Sequence, residues 1–210
     1  MADDWPQLDY YKKLNSEIDL PSRNENRIVF MGNSITEGWG QLYPEYFSKK
    51  SFINRGISGQ TTPQMLIRFR PDVIDLKPVI VIILAGINDI AGNTGPSTVK
   101  MICDNIISMA ELAKINGIKV ILSSVLPAGG YPWEPGIDPS KKIIAVNKII
   151  NDYSKNNNML YLDYYSSMVY NNDSLNPDYT YDGVHPNKSG YKIMSKLADS
   201  VIAKALVFNG

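Results

Sequence analysis

The stretch Val79-Ile80-Val81-Ile82-Ile83-Leu84-Ala85 is the longest apolar run of the chain, and Gly86-Ile87-Asn88-Asp89 follows it directly. The run is rich in β-branched residues, and apolar and polar positions do not alternate in it. Strands with this pattern are covered on both faces, as the central strands of parallel sheets are. We therefore expect residues 79–85 to form a central parallel strand, with polar residues beginning at its carboxyl end.

Shorter apolar runs and helical patterns alternate on either side of this strand. They predict strands at 27–31, 52–54, 119–125 and 159–162, and helices at 6–19, 62–70, 98–116, 140–155 and 187–206. Pro71 is expected to end the second helix and Asn187 to cap the last one. Such alternation indicates a parallel sheet with right-handed crossovers and helices on both faces. Ligands of these sheets bind beyond the carboxyl ends of the strands.

Length and composition indicate one globular domain over residues 1–210. Hydrophobic residues make up 44% of the chain and charged residues 20%, which is typical of a folded domain with a sizeable core. The 21 basic residues balance the 21 acidic ones, so no strong field is available to attract nucleic acid. No apolar run reaches membrane-spanning length, and no transmembrane segment is expected. The oligomeric state is left open.

A single cysteine and a single histidine limit the possible chemistry. Cys103 lies in a helical apolar pattern, which predicts a small buried side chain, and no intrachain disulfide can form. One histidine excludes clustered-histidine zinc sites. No cofactor is expected. Any mechanism that needs an imidazole must use His185.

The first residues, Met1-Ala-Asp-Asp-Trp5, are acidic and polar and do not resemble a signal peptide. This start is compatible with a cytoplasmic protein. It is equally compatible with a periplasmic or extracellular protein from which a leader has been removed. The sequence therefore leaves the compartment undecided between these expectations.

Small polar residues follow the first two predicted strands. In Gly32-Asn33-Ser34, the glycine permits a sharp turn that would leave the Ser34 hydroxyl at the sheet edge, near the start of a helix. Ser34 is thus a candidate nucleophile, although a helix-capping role is equally consistent with this motif alone. After the second strand, the N–H of Gly59 is a candidate donor to an oxyanion. The alternative for Gly59 is an ordinary flexible turn.

Two further segments carry candidate groups. The neutral amide of Asn88 can stabilise developing negative charge without acting as a base; alternatively, Asn88 and Asp89 bind their own backbone in a turn. Near the carboxyl terminus, Asp182 and His185 are three residues apart in a loop that precedes Pro186. Asp182 can fix the imidazole so that its other nitrogen takes a proton from a serine. The alternative for His185 is a polar side chain without a catalytic role.

Together these segments resemble the four sequence blocks of the SGNH hydrolases, also called the GDSL family. Gly32-Asn33-Ser34-Ile35 resembles the nucleophile block, and Gly59 matches the glycine block. Gly86-Ile87-Asn88-Asp89 matches the Gly-x-Asn-Asp block, and Asp182-Gly183-Val184-His185 matches the Asp-x-x-His block. The order of the blocks is also the same, and the resemblance covers residues 27 to about 200.

The resemblance implies a flavodoxin-like three-layer α/β/α sandwich with a central parallel sheet. It also implies hydrolysis of carboxylic esters without a metal. At the matching positions, Ser34 would be the nucleophile, His185 the general base and Asp182 its orienting partner. The backbone N–H groups of Ser34 and Gly59 and the side chain of Asn88 would form the oxyanion hole.

One position departs from the family pattern, because Asn33 stands where the name-giving motif has Asp. That acid is not a member of the triad, so activity is expected to be retained with different hydrogen bonding in the loop. Similar turns occur in a sub-branch that resembles the platelet-activating-factor acetylhydrolase subunits and bacterial carbohydrate acetylesterases.

Aromatic residues suggest the class of substrate. Six of the 13 tyrosines fall between Tyr161 and Tyr181, and Trp133 lies in residues 129–135, which follow a predicted strand. Aromatic faces with polar tips suit sugar rings, so we expect removal of a short acyl group, acetyl, from a carbohydrate or similar polar alcohol. The alternative for most of these tyrosines is packing between sheet and helices.

Three other functions fit the sequence less well. A lysophospholipase or thioesterase for longer acyl chains would need a long apolar groove, whereas the loops near the expected crevice are polar and rich in proline. A non-catalytic glycan-binding relative is disfavoured because every candidate catalytic residue is present. A flavin- or nucleotide-binding protein is disfavoured because no glycine-rich phosphate loop follows the first strand.

Overall fold

The computed structural model describes residues 4–48 and 50–207. At its centre is a parallel sheet of five strands in the order β2-β1-β3-β4-β5. The strands are β1 (Ile28–Gly32), β2 (Phe52–Gly56), β3 (Ile80–Ile83), β4 (Lys119–Ser123) and β5 (Leu160–Leu162). This order is the flavodoxin-like one, and its topological switch point lies between β1 and β3.

The central strand is shorter than the apolar run that predicts it. Its four residues are at most 2% exposed, and each such side chain contributes about 1.5–3 kcal/mol by burial. The flanking residues still bond to neighbouring backbone, because Val79 N–H donates to Arg27 O at 2.8 Å and Leu84 N–H to Met31 O at 3.0 Å. Residues 79–84 therefore all pair with neighbouring strands or their extensions, although only Ile80–Ile83 form a regular β-strand.

Helices cover both faces of the sheet. In the described residues they are α1 (Lys12–Ser16), α2 (Ser34–Leu42), α3 (Glu45–Ser48), α4 (Thr62–Asp72), α5 (Ile87–Ala91), α6 (Val99–Ile115), α7 (Ser140–Asn156), α8 (Tyr165–Met168) and α9 (Lys188–Val207). Helices α2 and α9 contact each other, whereas α4, α6 and α7 pack side by side as a second layer. Short 3₁₀ turns lie at Ile74–Leu76, Asn171–Asp173 and Pro177–Tyr179. The expected three-layer α/β/α sandwich is confirmed.

The three long helices begin and end within two residues of the predicted positions. The Thr98 side chain caps α6 by accepting from Met101 N–H at 3.2 Å. Asn187 caps α9 as predicted, because its side-chain oxygen accepts from Ser189 N–H at 2.9 Å and Gly190 N–H at 3.0 Å. Side chains that satisfy the free N–H groups of a first turn are local sequence signals, which explains the agreement for α6 and α9.

The predicted opening helix at residues 6–19 is confirmed only in part, since within that range only Lys12–Ser16 is helical. Before it, the Asp4 carboxylate accepts from Leu8 N–H and Asp9 N–H, both at 2.9 Å, and holds the chain in turns. The α4 prediction is also corrected, because the helix continues to Asp72 with Pro71 in its last turn. A proline so close to a helix end removes only one of the final hydrogen bonds.

Candidate active site

The turn between β1 and α2 presents Ser34 at the carboxyl edge of the sheet. Asn33 is the N-cap of α2, because its side-chain oxygen accepts from Ile35 N–H at 3.3 Å. The alternative in which Ser34 caps the helix is therefore wrong, and Ser34 is the first helical residue. Its backbone N–H belongs to the first turn, where no intrahelical acceptor exists. The hydroxyl and this N–H are both available for chemistry beyond the sheet edge.

Ser34, His185 and Asp182 are connected by hydrogen bonds. Ser34 Oγ lies 3.0 Å from His185 Nε2, and His185 Nδ1 lies 2.7 Å from Asp182 Oδ2. An ionised carboxylate only accepts, so Nδ1 carries the proton and Nε2 of the neutral ring accepts from the serine hydroxyl. This is the arrangement in which an imidazole can remove a proton from a serine.

The loop that carries Asp182 and His185 is held by its own hydrogen bonds. Asp182 Oδ1 accepts from the N–H of Val184 at 2.9 Å and of His185 at 2.7 Å. Thr180 Oγ1 donates to His185 O at 2.7 Å and accepts from Gly183 N–H at 3.0 Å. Burial raises the pKa of Asp182, but the hydrogen bonds from His185 and Val184 outweigh it and leave this pKa below its usual value. Asp182 is thus ionised beside the imidazole.

Gly59 and Asn88 lie at the ends of the two strands that flank β1. Gly59 has a φ of +77°, a conformation that favours glycine. Asn88 Nδ2 donates to Gln60 O at 2.9 Å, so the alternative of a self-contained Asn88 turn is wrong. The amide has two N–H bonds, of which one is fixed by this contact and the other can point elsewhere.

A shallow pocket brings most of these residues together. It measures about 290 Å³ and is lined by Ser34, Ser58, Gly59, Asn88, Asn93, Trp133 and His185. Asp182 bonds to the histidine and does not line the pocket. The sequence reasoning missed Ser58 and Asn93; the turn Gly92-Asn93, soon after the Asn88 motif, is the one signal that could have pointed to Asn93. Asn93 Nδ2 donates to Gly59 O at 3.1 Å.

Two aromatic side chains contact the imidazole of His185. The ring of Tyr181 stacks on it with centroids 5.8 Å apart, and Trp133 lies 5.6 Å away at 42°. Both are exposed, by 64% and 42% respectively. Tyr164 behaves differently, because it is 1% exposed and packs against Trp39 in the core. In the tyrosine-rich segment, Tyr181 therefore contacts the candidate site. Tyr164 instead packs between the sheet and the helices, which was the alternative expected for most of these tyrosines.

A second carboxylate, Asp89, is buried next to Asn88. It accepts from Thr62 N–H at 3.0 Å and from Thr62 Oγ at 2.5 Å. Burial raises the pKa of Asp89 to about 6, although the hydrogen bonds from Thr62 oppose the rise. Asp89 thus ties the start of α4 to α5 and is not directed at Ser34.

Three further findings concern the parts of the chain that the structure describes. Within residues 4–48 and 50–207, no group of three or more His, Cys, Asp or Glu side chains could hold a metal ion. In the same ranges, no helix is long and apolar enough to cross a membrane. Cys103 is buried as predicted, and burial raises the pKa of its thiol to about 11.

The fold and the site define a class of protein, and comparison with known proteins agrees with it. A model of the GDSL-like Lipase/Acylhydrolase family matches residues 30–193, and the chain belongs to this family. The resemblance noted from the four sequence blocks is thereby confirmed. The protein is a carboxylic ester hydrolase built on a parallel α/β/α sandwich.

Individual relatives agree with this assignment. The solved structure of a GDSL-like lipase from Bacteroides thetaiotaomicron VPI-5482 is 48% identical, covers 95% of this chain and 98% of its own, and gives a TM-score of 0.94. The platelet-activating factor acetylhydrolase IB subunit alpha2 of Rattus norvegicus is 24% identical over 187 residues, which are 87% of this chain and 78% of that protein. The uncharacterized lipoprotein YqeF of Bacillus subtilis (strain 168) is 31% identical over 122 residues, and the match spans only half of each protein, 50% and 50%.

Proposed function

We propose that the protein hydrolyses short acyl esters through an acyl-enzyme formed on Ser34. The observation that carries the proposal is the hydrogen-bonded series Ser34–His185–Asp182, with distances of 3.0 Å and 2.7 Å, beside Gly59 and Asn88 in one pocket. A nucleophile, a base and an orienting carboxylate within hydrogen-bond reach are the components that acyl transfer requires.

In the proposed mechanism, Ser34 Oγ attacks the ester carbonyl carbon while His185 Nε2 takes the hydroxyl proton. The carbonyl oxygen becomes an oxyanion that accepts from Ser34 N–H, Gly59 N–H and the Asn88 amide. When the tetrahedral intermediate collapses, the bond to the alcohol breaks and His185 returns the proton to the leaving oxygen. Water then attacks the acyl-enzyme by the same steps, which releases the carboxylic acid and restores Ser34.

A small acyl group, with acetyl as the best fit, is proposed because the pocket is shallow and Trp133 is the one large apolar side chain among the residues that line it. Its volume is about 290 Å³, and apart from Trp133 the side chains that line it belong to serine, asparagine and histidine. A long acyl chain needs an extended apolar wall to remain bound. The name of the acetylhydrolase relative supports the same choice.

A carbohydrate or similar polar alcohol is proposed as the other half of the ester. Trp133 and Tyr181 expose large aromatic surface next to His185, where the alcohol leaves. Sugar rings pack their C–H faces on such surfaces.

Replacement of Tyr181 by Ala should raise KM for an acetylated oligosaccharide and leave KM for p-nitrophenyl acetate nearly unchanged. Tyr170→Ala, also at an exposed tyrosine, is the matched control.

Ser34→Ala tests the nucleophile. We expect turnover and labelling by a fluorophosphonate to disappear while the circular dichroism spectrum stays that of the folded protein. A peptide map of the labelled parent protein should place the label on Ser34. Full activity of a clean Ser34→Ala preparation would refute the mechanism, and absence of labelling in the parent protein would favour a non-catalytic glycan-binding relative.

Asn88→Ala tests the oxyanion hole separately, with an expected loss of about 10²–10³-fold in kcat.

A panel of p-nitrophenyl esters of increasing chain length tests the acyl group. Activity confined to the shortest esters supports the proposal. A maximum at octanoyl or longer would instead support the alternative of a lysophospholipase or thioesterase for longer acyl chains.

A further inference from the structure

The amino-terminal part of the chain is bonded to the loop that carries Gly59. We call residues 5–11 the strap and residues 57–61 the oxyanion loop. Gln60 Nε2 donates to Pro6 O and to Gln7 Oε1, both at 2.9 Å. Just after the loop, Gln64 Nε2 donates to Trp5 O at 2.7 Å. Side chains of the loop region thus bind the strap largely through its backbone.

Two tyrosines of the strap extend this contact towards the nucleophile helix. Tyr10 OH donates to one carboxylate oxygen of Glu37, and the other oxygen accepts from Ser58 N–H at 3.0 Å. Tyr11 OH donates to Gly56 O at 2.5 Å, and the Tyr11 side chain is buried. The Tyr11 hydroxyl therefore holds Gly56 directly, and the Tyr10 hydroxyl holds Ser58 through Glu37. Ser58 is the residue immediately before Gly59.

The position of Gly56 has little freedom. A Cβ added there would lie 2.1 Å from the backbone nitrogen of Glu37 and 2.7 Å from Asn33 O. The end of β2 thus packs directly on the first turn of α2, the turn that begins with Ser34. A displacement of Gly56 would alter the spacing between Ser34 and the oxyanion loop, since no side chain separates the two backbones.

Gln60 connects the strap to the other side of the proposed oxyanion hole. Its side-chain oxygen accepts from Arg68 Nε at 2.5 Å, and its backbone oxygen accepts from Asn88 Nδ2 at 2.9 Å. Arg68 is fully buried and also donates to Gly32 O at 2.9 Å. One residue therefore contacts the strap, the end of β1 through Arg68, and the amide of Asn88.

We propose that the strap is a positioning element for the oxyanion hole. By holding Ser58 and Gln60, it fixes the direction of the Gly59 N–H and of the Asn88 amide without touching the substrate. The inference rests on the roles proposed above for Gly59 and Asn88. The strap lies before residue 30, where the match to the family model begins, so the general family pattern does not supply it.

The test is the double variant Tyr10→Phe/Tyr11→Phe, which removes the two hydroxyls and keeps the rings. We expect kcat for p-nitrophenyl acetate to fall about 10-fold, because donors displaced by a fraction of an ångström lose part of the 10²–10³-fold that one donor supplies. KM should change little. The rate of fluorophosphonate labelling should fall by the same factor as kcat, since the phosphonyl oxygen occupies the same hole.

A matched control is the double variant Tyr46→Phe/Tyr153→Phe. It also removes one buried and one more exposed tyrosine hydroxyl. Tyr46 bonds to Asp199 at 3.0 Å and Tyr153 to Glu111 at 3.3 Å, whereas in the strap only Tyr10 bonds to an acid and Tyr11 bonds to a backbone carbonyl. A merely structural role of the strap would give both double variants the same small effect on kcat at equal folded fraction. That equality would overturn the proposal.

Coupling to Asn88 provides the second criterion. In an Asn88→Ala background, the two strap substitutions should cause a clearly smaller loss than in the parent, because groups that act through one hole are not additive. An undiminished 10-fold loss there would show that the strap acts elsewhere and overturn the proposal. If the double variant fails to fold, Tyr10→Phe alone, at an exposed side chain, is put through the same cycle. Ser34→Ala in the same assay tests the proposed function itself, so the two failures are distinguishable.

Discussion

Asp89 and Asp182 are two aspartates of the same set of motifs, and their surroundings differ. Asp89 is 2% exposed, is held by Thr62, and has a pKa raised to about 6 by burial. Asp182 is partly exposed and accepts from His185 and Val184, so its pKa lies below the usual value even though burial opposes this.

The difference separates a structural carboxylate from one suited to catalysis. An orienting acid must stay ionised while the imidazole gains a proton, and a lowered pKa serves this need. A raised pKa marks a carboxylate whose charge is poorly solvated, and Asp89 accepts from Thr62 rather than from a residue of the pocket. Proximity in sequence to Asn88 therefore does not give Asp89 a role in the chemistry.

The largest expected effect is on turnover. Asp182→Asn should lower kcat by about 10⁴-fold, because the amide favours the tautomer in which Nε2 carries the proton. Asp89→Asn should cost only a small part of that, since its oxygen can still accept from Thr62. The measurement is kcat on p-nitrophenyl acetate for both variants, corrected for the fraction folded. Comparable losses would mean that the two aspartates are not distinguished as described.

The strand ends could be predicted because their signals are local. The run at 79–85 and the blocks around Ser34, Asn88 and His185 need only strand periodicity and the rule that parallel strands end at one edge. The catalytic roles of these residues stay predictions, although the structure brings them together.

The contacts that could not be predicted join distant parts of the chain. Residues 6–19 have helical apolar spacing, but the backbone of Pro6 and the side chain of Tyr11 bind Gln60 and Gly56, about fifty residues away. The pairing of Asp89 with Thr62 is likewise invisible in sequence. Intrinsic helix preference is weak compared with such tertiary contacts, and so the opening helix is shorter than its pattern predicts.

The next effect in size is the pH dependence of stability at Asp89. The folded-state pKa of about 6 lies above 3.8, the usual value of an aspartate, so the folded state binds the proton more tightly. The contribution of protonated Asp89 to folding stability is complete below its unfolded-state pKa and is lost as pH rises through 6. The difference of about two pKa units corresponds to about 3 kcal/mol. Measured by urea unfolding from pH 4 to 8, the stability of the parent relative to Asp89→Asn should fall by roughly this amount.

Asp182 should give the opposite slope. Its pKa is lowered in the folded state, so its contribution is present above the unfolded value and is lost as pH falls through the folded value. The stability of the parent relative to Asp182→Asn should therefore decrease below pH 3.8, the usual pKa of an aspartate. Parallel slopes for the two variants would contradict the assignment of one raised and one lowered pKa.

The smallest effects concern the threonine that supports each aspartate. Thr62 is fully buried, and its hydroxyl donates to Asp89 and accepts from Asn105 Nδ2 at 3.0 Å. Thr62→Val should therefore destabilise the protein by about 1–3 kcal/mol, the usual cost of leaving buried polar groups unpaired. Thr180 is only half-buried, and water can replace its hydroxyl, so Thr180→Val should cost less than about 1 kcal/mol.

Activity should reverse this order. Thr180 Oγ1 donates to His185 O, and its loss should lower kcat several-fold because the imidazole is held less firmly. Thr62→Val should leave kcat of the folded fraction nearly unchanged, since Asp89 has no part in the chemistry. The Ser variants restore each hydroxyl and should recover most of both losses. If Thr62→Val instead lowered kcat more than Thr180→Val at equal folded fraction, Asp89 would belong with the catalytic groups and the distinction between the two aspartates would fail.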